Sequence, residues 1–249
     1  MHQNERIKHI EEILKKNGFV TVKFLTEELH YSTATINRDL NMMEKKKMVK
    51  RSYGGVELLK SRSVPLVFRY NKMRPAKNKI GKKAAEFICD GDTILIDGST
   101  TSQYIGKYLT EKKNLTVITN NLALASFLSE YSITVYCLGG KIAEPPSMAY
   151  SEETVENIYK YGADKAFFST GGVTEDGKIC IGSGIYTLVI KAMIEQSKQQ
   201  FFLVDHEKVI SSAKRYLGTL DEVTNIITDF NFSEETKQRF INTTFTEVQ

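Results

Sequence analysis

The stretch Ser32-Thr33-Ala34-Thr35-Ile36-Asn37-Arg38-Asp39-Leu40-Asn41-Met42-Met43 decides how the front of this chain is read. Ser32 is a good N-cap, because its hydroxyl can accept from an otherwise unpaired backbone N–H of a first helical turn. Ile36, Leu40 and Met43 recur at i, i+4 and i+7, so they stack on one helical face. At about 100° per residue, Ala34, Arg38, Asn41 and Lys45 point the other way, flanked by Thr35 and Asn37. That outward stripe is rich in groups that match phosphates and base edges: arginine suits guanine and asparagine suits adenine. The competing reading is an ordinary amphipathic helix with a solvated polar face.

The flanking residues favour a DNA reader. Ile7, Ile10, Ile13 and Leu14 mark a helix from about Glu5 to Lys16, which Gly18 ends. After an extended piece at Phe19-Val20-Thr21, the residues Val22, Leu25 and Leu29 mark a short second helix. Two short helices joined by a tight turn, the second carrying the polar stripe, make a helix-turn-helix. Lys45 to Arg51 then places five basic residues in seven. The segment Arg51–Leu58 reads as strand, Gly54-Gly55 turn, strand, which forms a wing. Lys50, Arg51 and Tyr53 are expected on the sugar-phosphate backbone or an adjacent minor groove. The candidate DNA-binding set is Ser32, Thr33, Ala34, Thr35, Asn37, Arg38, Asn41, Lys45, Lys50, Arg51 and Tyr53.

Charge divides the 249 residues along the same line. Residues 1–60 hold 12 Lys/Arg against 8 Asp/Glu, and residues 61–85 hold 8 basic residues and no acid. Residues 86–249 hold 14 basic and 22 acidic residues. A basic front points to a polyanion, and an acidic back to a different task. Cys89, Cys137 and Cys180 are too dispersed for a disulfide framework or a metal cluster and are expected to be buried, reduced thiols. The start of the chain has no apolar signal-peptide core, and no apolar run nears the roughly 18 residues of a membrane helix. A cytoplasmic location is therefore expected, with no membrane partner.

Residues 60–78 contain Pro65 and Pro75, show no clear period, and read as a linker between a 1–59 domain and a 79–249 domain. Beyond it, helix and strand alternate. Strands are expected at Thr93–Asp97, Leu115–Thr119, Ile133–Leu138, Asp164–Ser169, Phe201–Val204 and Ile226–Thr228. Helices are expected at Ile80–Cys89, up to about Leu109, and at Ala123–Glu130, Glu153–Tyr161, Ile185–Gln196 and Ser233–Ile241. The pattern is that of a doubly wound, mostly parallel α/β domain. Polar and glycine residues gather just after the strands: Asp97-Gly98-Ser99-Thr100-Thr101, Asn120-Asn121, Gly139-Gly140, Gly171-Gly172, and Asp205 with Lys208. Ligands of open α/β sheets lie beyond the carboxyl ends of the strands. Gly98–Thr101 opening a helix reads as a phosphate cradle, Lys208 as a compensating cation, and Asp97 with Asn120 or Asn121 as partners of sugar hydroxyls. Each piece alone also reads as a turn or cap.

These motifs together resemble the DeoR family of bacterial transcription regulators. In front, the resemblance rests on Glu5-Arg6, on Ser32-x-x-Thr35-Ile36-x-Arg38-Asp39-Leu40 and on Arg51-x-x-Gly54-Gly55. Behind, it rests on Ile94 to Thr101, Thr119-Asn120-Asn121, Leu138-Gly139-Gly140, Asp164 to Phe167, Asp205-x-x-Lys208 and Ile227-Thr228-Asp229. Arg69 and Lys77 also match family positions and receive no chemistry here. The resemblance implies a repressor whose effector domain is similar in fold to ribose-5-phosphate isomerase and senses a phosphorylated sugar. The chain departs from the family at Asn37, where a basic residue is usual, at Met148–Asn157, which lacks a glycine, and at His206-Glu207 before Lys208.

The rival reading is a sugar-phosphate isomerase with a DNA-binding appendage. Aldose–ketose isomerisation needs a general base near a carbon-bound proton. The isomerase family carries acids after the strand that corresponds to Asp164–Ser169, whereas this chain has Ser169-Thr170-Gly171-Gly172. A regulator without catalytic residues, metal or cofactor is expected. It is expected to bind double-stranded operator DNA as a homo-oligomer, because one short helix offers few base contacts. A sequence-neutral nucleic-acid binder is the third reading.

Overall fold

The computed structural model describes residues 3–17, 20–46, 48–52, 55–58, 73–142, 148–182, 184–210 and 212–248. The chain divides into two compact units, Met1–Arg69 and Tyr70–Gln249.

The first unit has helices α1 (Gln3–Asn17), α2 (Val22–Leu29) and α3 (Thr33–Lys45) and strands β1 (Val20–Thr21), β2 (Val49–Ser52) and β3 (Gly55–Leu58). Ser32 caps α3 as its sequence requires, its Oγ accepting from the Thr35 amide at 3.2 Å. Thr21 caps α2 in the same way. The apolar face of α3 (Ile36, Leu40 and Met43) is fully buried against Ile10, Leu14, Leu25, Val49 and Val56. Strand β3 lies between β1 and β2, antiparallel to both, so the wing is tied to the helices by a three-stranded sheet. Gly55 opens β3 and is not part of the turn; Tyr53 and Gly54 lie outside the described residues.

The second unit is built on a seven-stranded, wholly parallel sheet. Its central strands are β4 (Thr93–Ile96), β5 (Thr116–Thr119), β7 (Ala163–Phe168), β10 (Ser197–Val204) and β13 (Asn225–Thr228). Strands β6 (Thr134–Cys137) and β14 (Thr244–Glu247) form the edges, and the spatial order is β14-β13-β10-β7-β4-β5-β6. Successive residues of one strand enter opposite cores: Ile94, Ile96, Phe167, Phe201 and Leu203 pack on one face, Leu95, Phe168, Phe202 and Val204 on the other. Burial on both faces explains why these strands read as continuous apolar runs. Phe167 stacks on Phe201 with centroids 4.7 Å apart, and Phe168 on Phe202 at 5.6 Å.

Helices α4 (Arg74–Glu86), α5 (Leu122–Leu128), α6 (Glu152–Ile158), α7 (Gly184–Glu195) and α8 (Glu234–Arg239) cover the sheet, with 3-10 turns at Ser102–Tyr108, His206–Lys208 and Leu220–Glu222. Three expectations change. Helix α4 starts at Arg74, inside the stretch read as linker, because Pro75 sits in its first turn, where its missing N–H costs nothing. The segment after Thr101 is a seven-residue 3-10 helix. Of the cysteines expected to be buried, Cys180 is, but Cys89 and Cys137 are exposed. A small four-stranded sheet was not anticipated. It joins β8 (Gly172–Thr174), β9 (Lys178–Cys180), β11 (Val209–Ile210) and β12 (Tyr216–Thr219), each short and without a continuous apolar run.

Candidate functional site

On the first unit, the outward face of α3 carries Ala34, Arg38, Asn41 and Lys45 in the open, with Thr35 and Asn37 half-buried beside them. Ala34, Asn37, Arg38, Asn41, Met42 and Lys45 line one shallow depression along the helix. Ser32 and Thr33 are exposed at its first turn, and the Ser32 and Thr35 hydroxyls lie 2.9 Å apart. Lys50 is exposed on β2. Arg51 turns onto α3 and donates to Asn41 Oδ1 at 2.6 Å and Asn37 Oδ1 at 2.5 Å. Tyr53 lies outside the described residues. Asp39, adjacent to Arg38, faces inward and pairs with buried Arg6, so α3 is keyed to α1 by charge as well as by apolar packing.

On the second unit, the site follows from the order of the strands. The chain winds from β4 through β5 to β6 on one side, and from β7 through β10 to β13 on the other, so the switch lies between β4 and β7. Open α/β sheets take their ligands at such a point, because the two following loops leave in opposite directions. The loop after β4 is Asp97–Thr101 and the loop after β7 is Ser169–Gly171. Asn120, after β5, and Asp205, after β10, flank them.

Asp97 is fully buried and serves the loop itself. It accepts from the Ser99 amide at 3.1 Å, the Ser99 hydroxyl at 2.9 Å and the Tyr186 hydroxyl. Burial pushes its pKa up, and the bonds from Ser102, Tyr186 and Ser99 and the charge of Lys208 offset only part of that rise. Ser99 is thus turned inward, and its Oγ also accepts from the Ser102 amide at 3.1 Å. Thr100 and Thr101 each meet a lysine. Lys77 Nζ lies 3.1 Å from Thr100 Oγ1, and Lys208 Nζ lies 3.2 Å from Thr101 Oγ1 and 2.6 Å from Ser169 Oγ. A threonine hydroxyl that accepts from an ammonium keeps its own proton to donate. Two cations and two hydroxyls therefore meet on one loop, which suits an anion. A seven-residue 3-10 segment adds little of the helix dipole expected at this loop, so the positive potential comes from the lysines.

Asn120 and Asp205 carry buried acceptor oxygens, Oδ1 and Oδ2, with no hydrogen-bond partner among the described residues. The Asn120 amide donates to the Ala149 carbonyl at 2.8 Å, which fixes its orientation. Buried polar atoms ordinarily have partners, and two orphaned acceptors, one after β5 and one after β10, suit a ligand with hydroxyls. Asn121 instead caps α5, accepting from the Leu124 amide at 3.0 Å.

Gly98, Gly140 and Gly172 have packing reasons. A Cβ on Gly98 would strike the Met148 side chain. Gly139 and Gly140 lie against the start of α6, where the Gly139 carbonyl accepts from Thr154 and a Cβ on Gly140 would strike Thr154 and Ser151. Gly171 is exposed. Gly172, at φ +157°, would put a Cβ 2.4 Å from the Lys208 carbonyl oxygen, so its bareness lets the Lys208 loop approach. Gly172→Ala is expected to destabilise the unit by about 1–3 kcal/mol and to raise the ligand concentration needed for half-saturation. Calorimetric melting and titration check both.

Two residues of this site were not picked from the sequence. Lys77 lies in the stretch that reads as linker, and Tyr186 on a helix with no motif around it. A charged residue in the first turn after Pro75 and the match of Lys77 to a family position are the signals for Lys77; Tyr186 has none. A second depression, lined in part by Thr93, Asp164, Gln196 and Lys198, lies at the other ends of β7 and β10 and is spanned by the Lys198–Asp164 ion pair at 2.8 Å.

A reading head with an outward cationic helix and an open α/β body with two lysines at its switch point fit the class of DNA-binding regulators with a sensor domain. The comparisons agree. Residues 6–62 match the DeoR-like helix-turn-helix domain and residues 72–230 the DeoR C terminal sensor domain. The chain belongs to the DeoR family. It is 34% identical over 232 residues to the HTH-type transcriptional repressor GlcR of Bacillus subtilis (strain 168), covering 92% of this chain and 89% of that protein. It is 29% identical to the glycerol-3-phosphate regulon repressor of Escherichia coli (strain K12), over 92% of each. The ribose 5-phosphate isomerase of Plasmodium falciparum overlaps 56% of this chain and 54% of its own at 14% identity, with a TM-score of 0.41, a likeness that carries no functional conclusion. Among the described residues no helix is long and apolar enough to cross a membrane.

Proposed function

We propose that the protein represses carbohydrate-metabolism genes and leaves its operator when a phosphorylated sugar binds beyond the carboxyl ends of β4 and β7. The observation that carries this is the meeting of Lys77 and Lys208 on Thr100 and Thr101, with two orphaned acceptors after β5 and β10. The lysines and threonines suit the phosphate, and Asn120 Oδ1 and Asp205 Oδ2 the hydroxyls. Gly98, Gly139, Gly140, Gly171 and Gly172 shape the loops, and Asp97, Ser99 and Asn121 hold them. The relatives' names, a glycerol-3-phosphate regulon repressor among them, support a small phosphorylated ligand.

Ser32, Thr33, Ala34, Thr35, Asn37, Arg38, Asn41 and Lys45 face the major groove, Lys50 meets the sugar-phosphate backbone from the wing, and Arg51 is turned onto Asn37 and Asn41. The protein acts as a dimer or larger assembly on a repeated operator. Ligand releases DNA only if it prefers the arrangement that does not bind DNA. Arg38→Ala is expected to cost about 1–3 kcal/mol of operator affinity, measured by fluorescence anisotropy; unchanged affinity would remove α3 from the interface.

The isomerase reading has one observation in its favour, the unpartnered carboxylate oxygen of Asp205. Titrating operator-bound protein with a panel of phosphorylated sugars, while assaying each for conversion, separates the two. Release without turnover is the expected result. Turnover would make the body an enzyme, and no response to any sugar would leave a passive DNA binder.

A further inference from the structure

We propose that Arg51, on the wing strand β2, sets what α3 reads by holding Asn37 and Asn41 with their carbonyl oxygens turned to the wing. Only their amide N–H groups then face a base, and guanine is selected over adenine beneath them. The proposal rests on the placing of α3 in the major groove.

Asn37 and Asn41 stand one helical turn apart, so their side chains lie one above the other. One guanidinium reaches both: Nη2 lies 2.5 Å from Asn37 Oδ1 and Nη1 2.6 Å from Asn41 Oδ1. The guanidinium has five donors and no acceptor, so the edge of each carboxamide that faces it must be the oxygen. That settles the orientation of both amides by chemistry. The arginine is itself held. Its backbone pairs with Val56, which is fully buried, and its amide donates to Glu44 Oε1 at 3.3 Å.

Asparagine recognises adenine by accepting from N6 and donating to N7. An N6 amino group arriving at either Oδ1 would bring a donor beside a cation that already donates there. Charge-assisted bonds are roughly twice as strong as neutral ones, so the adenine amino group is the weaker competitor. Guanine presents two acceptors, N7 and O6, on its major-groove edge. An outward amide N–H₂ meets those without disturbing the arginine.

The test is selection from a library of randomised DNA duplexes by the full chain and its variants, read by sequencing. Positions where Asn37→Ala or Asn41→Ala flattens the preference are those the asparagines read. There the unsubstituted protein is expected to favour guanine over adenine by about fivefold or more, and Arg51→Ala to move the preference towards adenine. Arg51→Lys keeps a cation on the strand but offers a point charge in place of a planar fork, so it is expected to hold one asparagine and shift one position. Adenine favoured by the unsubstituted protein overturns the proposal. So does an Arg51→Ala variant that keeps its base preference and loses affinity evenly, with the salt slope falling by about one, the mark of a phosphate contact. If Arg38→Ala, Asn37→Ala and Asn41→Ala all leave the selected sequences unaltered, α3 is not the reader, and the placing of that helix fails along with the proposal.

Discussion

Replacing Arg6 with alanine is expected to unfold most of the N-terminal unit and with it to abolish DNA binding. Arg6 is 6% exposed and Asp39 is fully buried. Arg6 Nε lies 2.6 Å from Asp39 Oδ2 and Nη2 3.1 Å from Oδ1, and Gln3 donates to Oδ1 at 2.9 Å. The guanidinium also sits 4.9 Å from the centre of the Tyr31 ring. Removing one member of a buried pair strands the other charge, at a cost of about 3–5 kcal/mol. A unit no longer than Met1–Arg69 has little stability to spare, since small domains bury a smaller share of their surface. Circular dichroism melts of the full chain should lose the lower transition, and a melt like that of the parent would disprove the role given to the pair. Arg6→Met combined with Asp39→Leu is expected to recover much of the loss, because an apolar pair of similar volume often replaces a buried ion pair at no cost.

The same pair gives the unit a pH dependence of known sign. Burial pushes the Asp39 carboxyl up, but the hydrogen bonds from Arg6 and Gln3 and the nearby positive charge together leave it below its ordinary value. The folded state then binds fewer protons than the unfolded chain as the medium turns acid. The contribution is complete above the ordinary carboxylate range and is lost as pH falls through the lowered folded value. Denaturation midpoints should therefore drop on acidification in the parent and change less in the double variant.

Replacing Lys208 with methionine is expected to raise the sugar-phosphate concentration needed for operator release by about 10- to 100-fold, the worth of a hydrogen bond to a charged group. Its ammonium spans the two sides of the switch point, reaching Thr101 after β4 and Ser169 after β7. Methionine keeps most of the stem and removes the charge, so the loss falls on the anion and not on packing. Weak binding of an unphosphorylated sugar should change little. The salt dependence of phosphate binding should flatten, because one cation fewer is screened. Lys77→Met, at a residue 4% exposed, is expected to act in the same direction from the other side of the loop. An unchanged release curve for both variants would move the phosphate elsewhere.

Much of this is legible in the sequence. The α3 helix announced itself because its cap and its apolar positions are local: Ser32, Ile36, Leu40 and Met43 lie within three turns. The body's layering was legible because strands buried on both faces have to be apolar throughout, as Ile94-Leu95-Ile96 and Phe201 to Val204 are. The short strands β8, β9, β11 and β12 and the edge strand β14 are not, since each is short and lacks the continuous apolar run that marks β4 or β13. Pro75 was ambiguous, because proline marks linkers and first helical turns alike.

What the order of residues determined by itself was the kind of element at each place and the candidates on it, because caps, periods and charge runs act between neighbours a few positions apart. Which candidates work together was decided by the tertiary structure. Only folding brings Lys77 to Thr100, Lys208 to Thr101 and Ser169, Tyr186 to Asp97, and Arg51 to Asn37 and Asn41. Those meetings span stretches of chain from ten to more than a hundred residues long. The backbone brings such groups together as a consequence of packing the cores, and no local pattern records it.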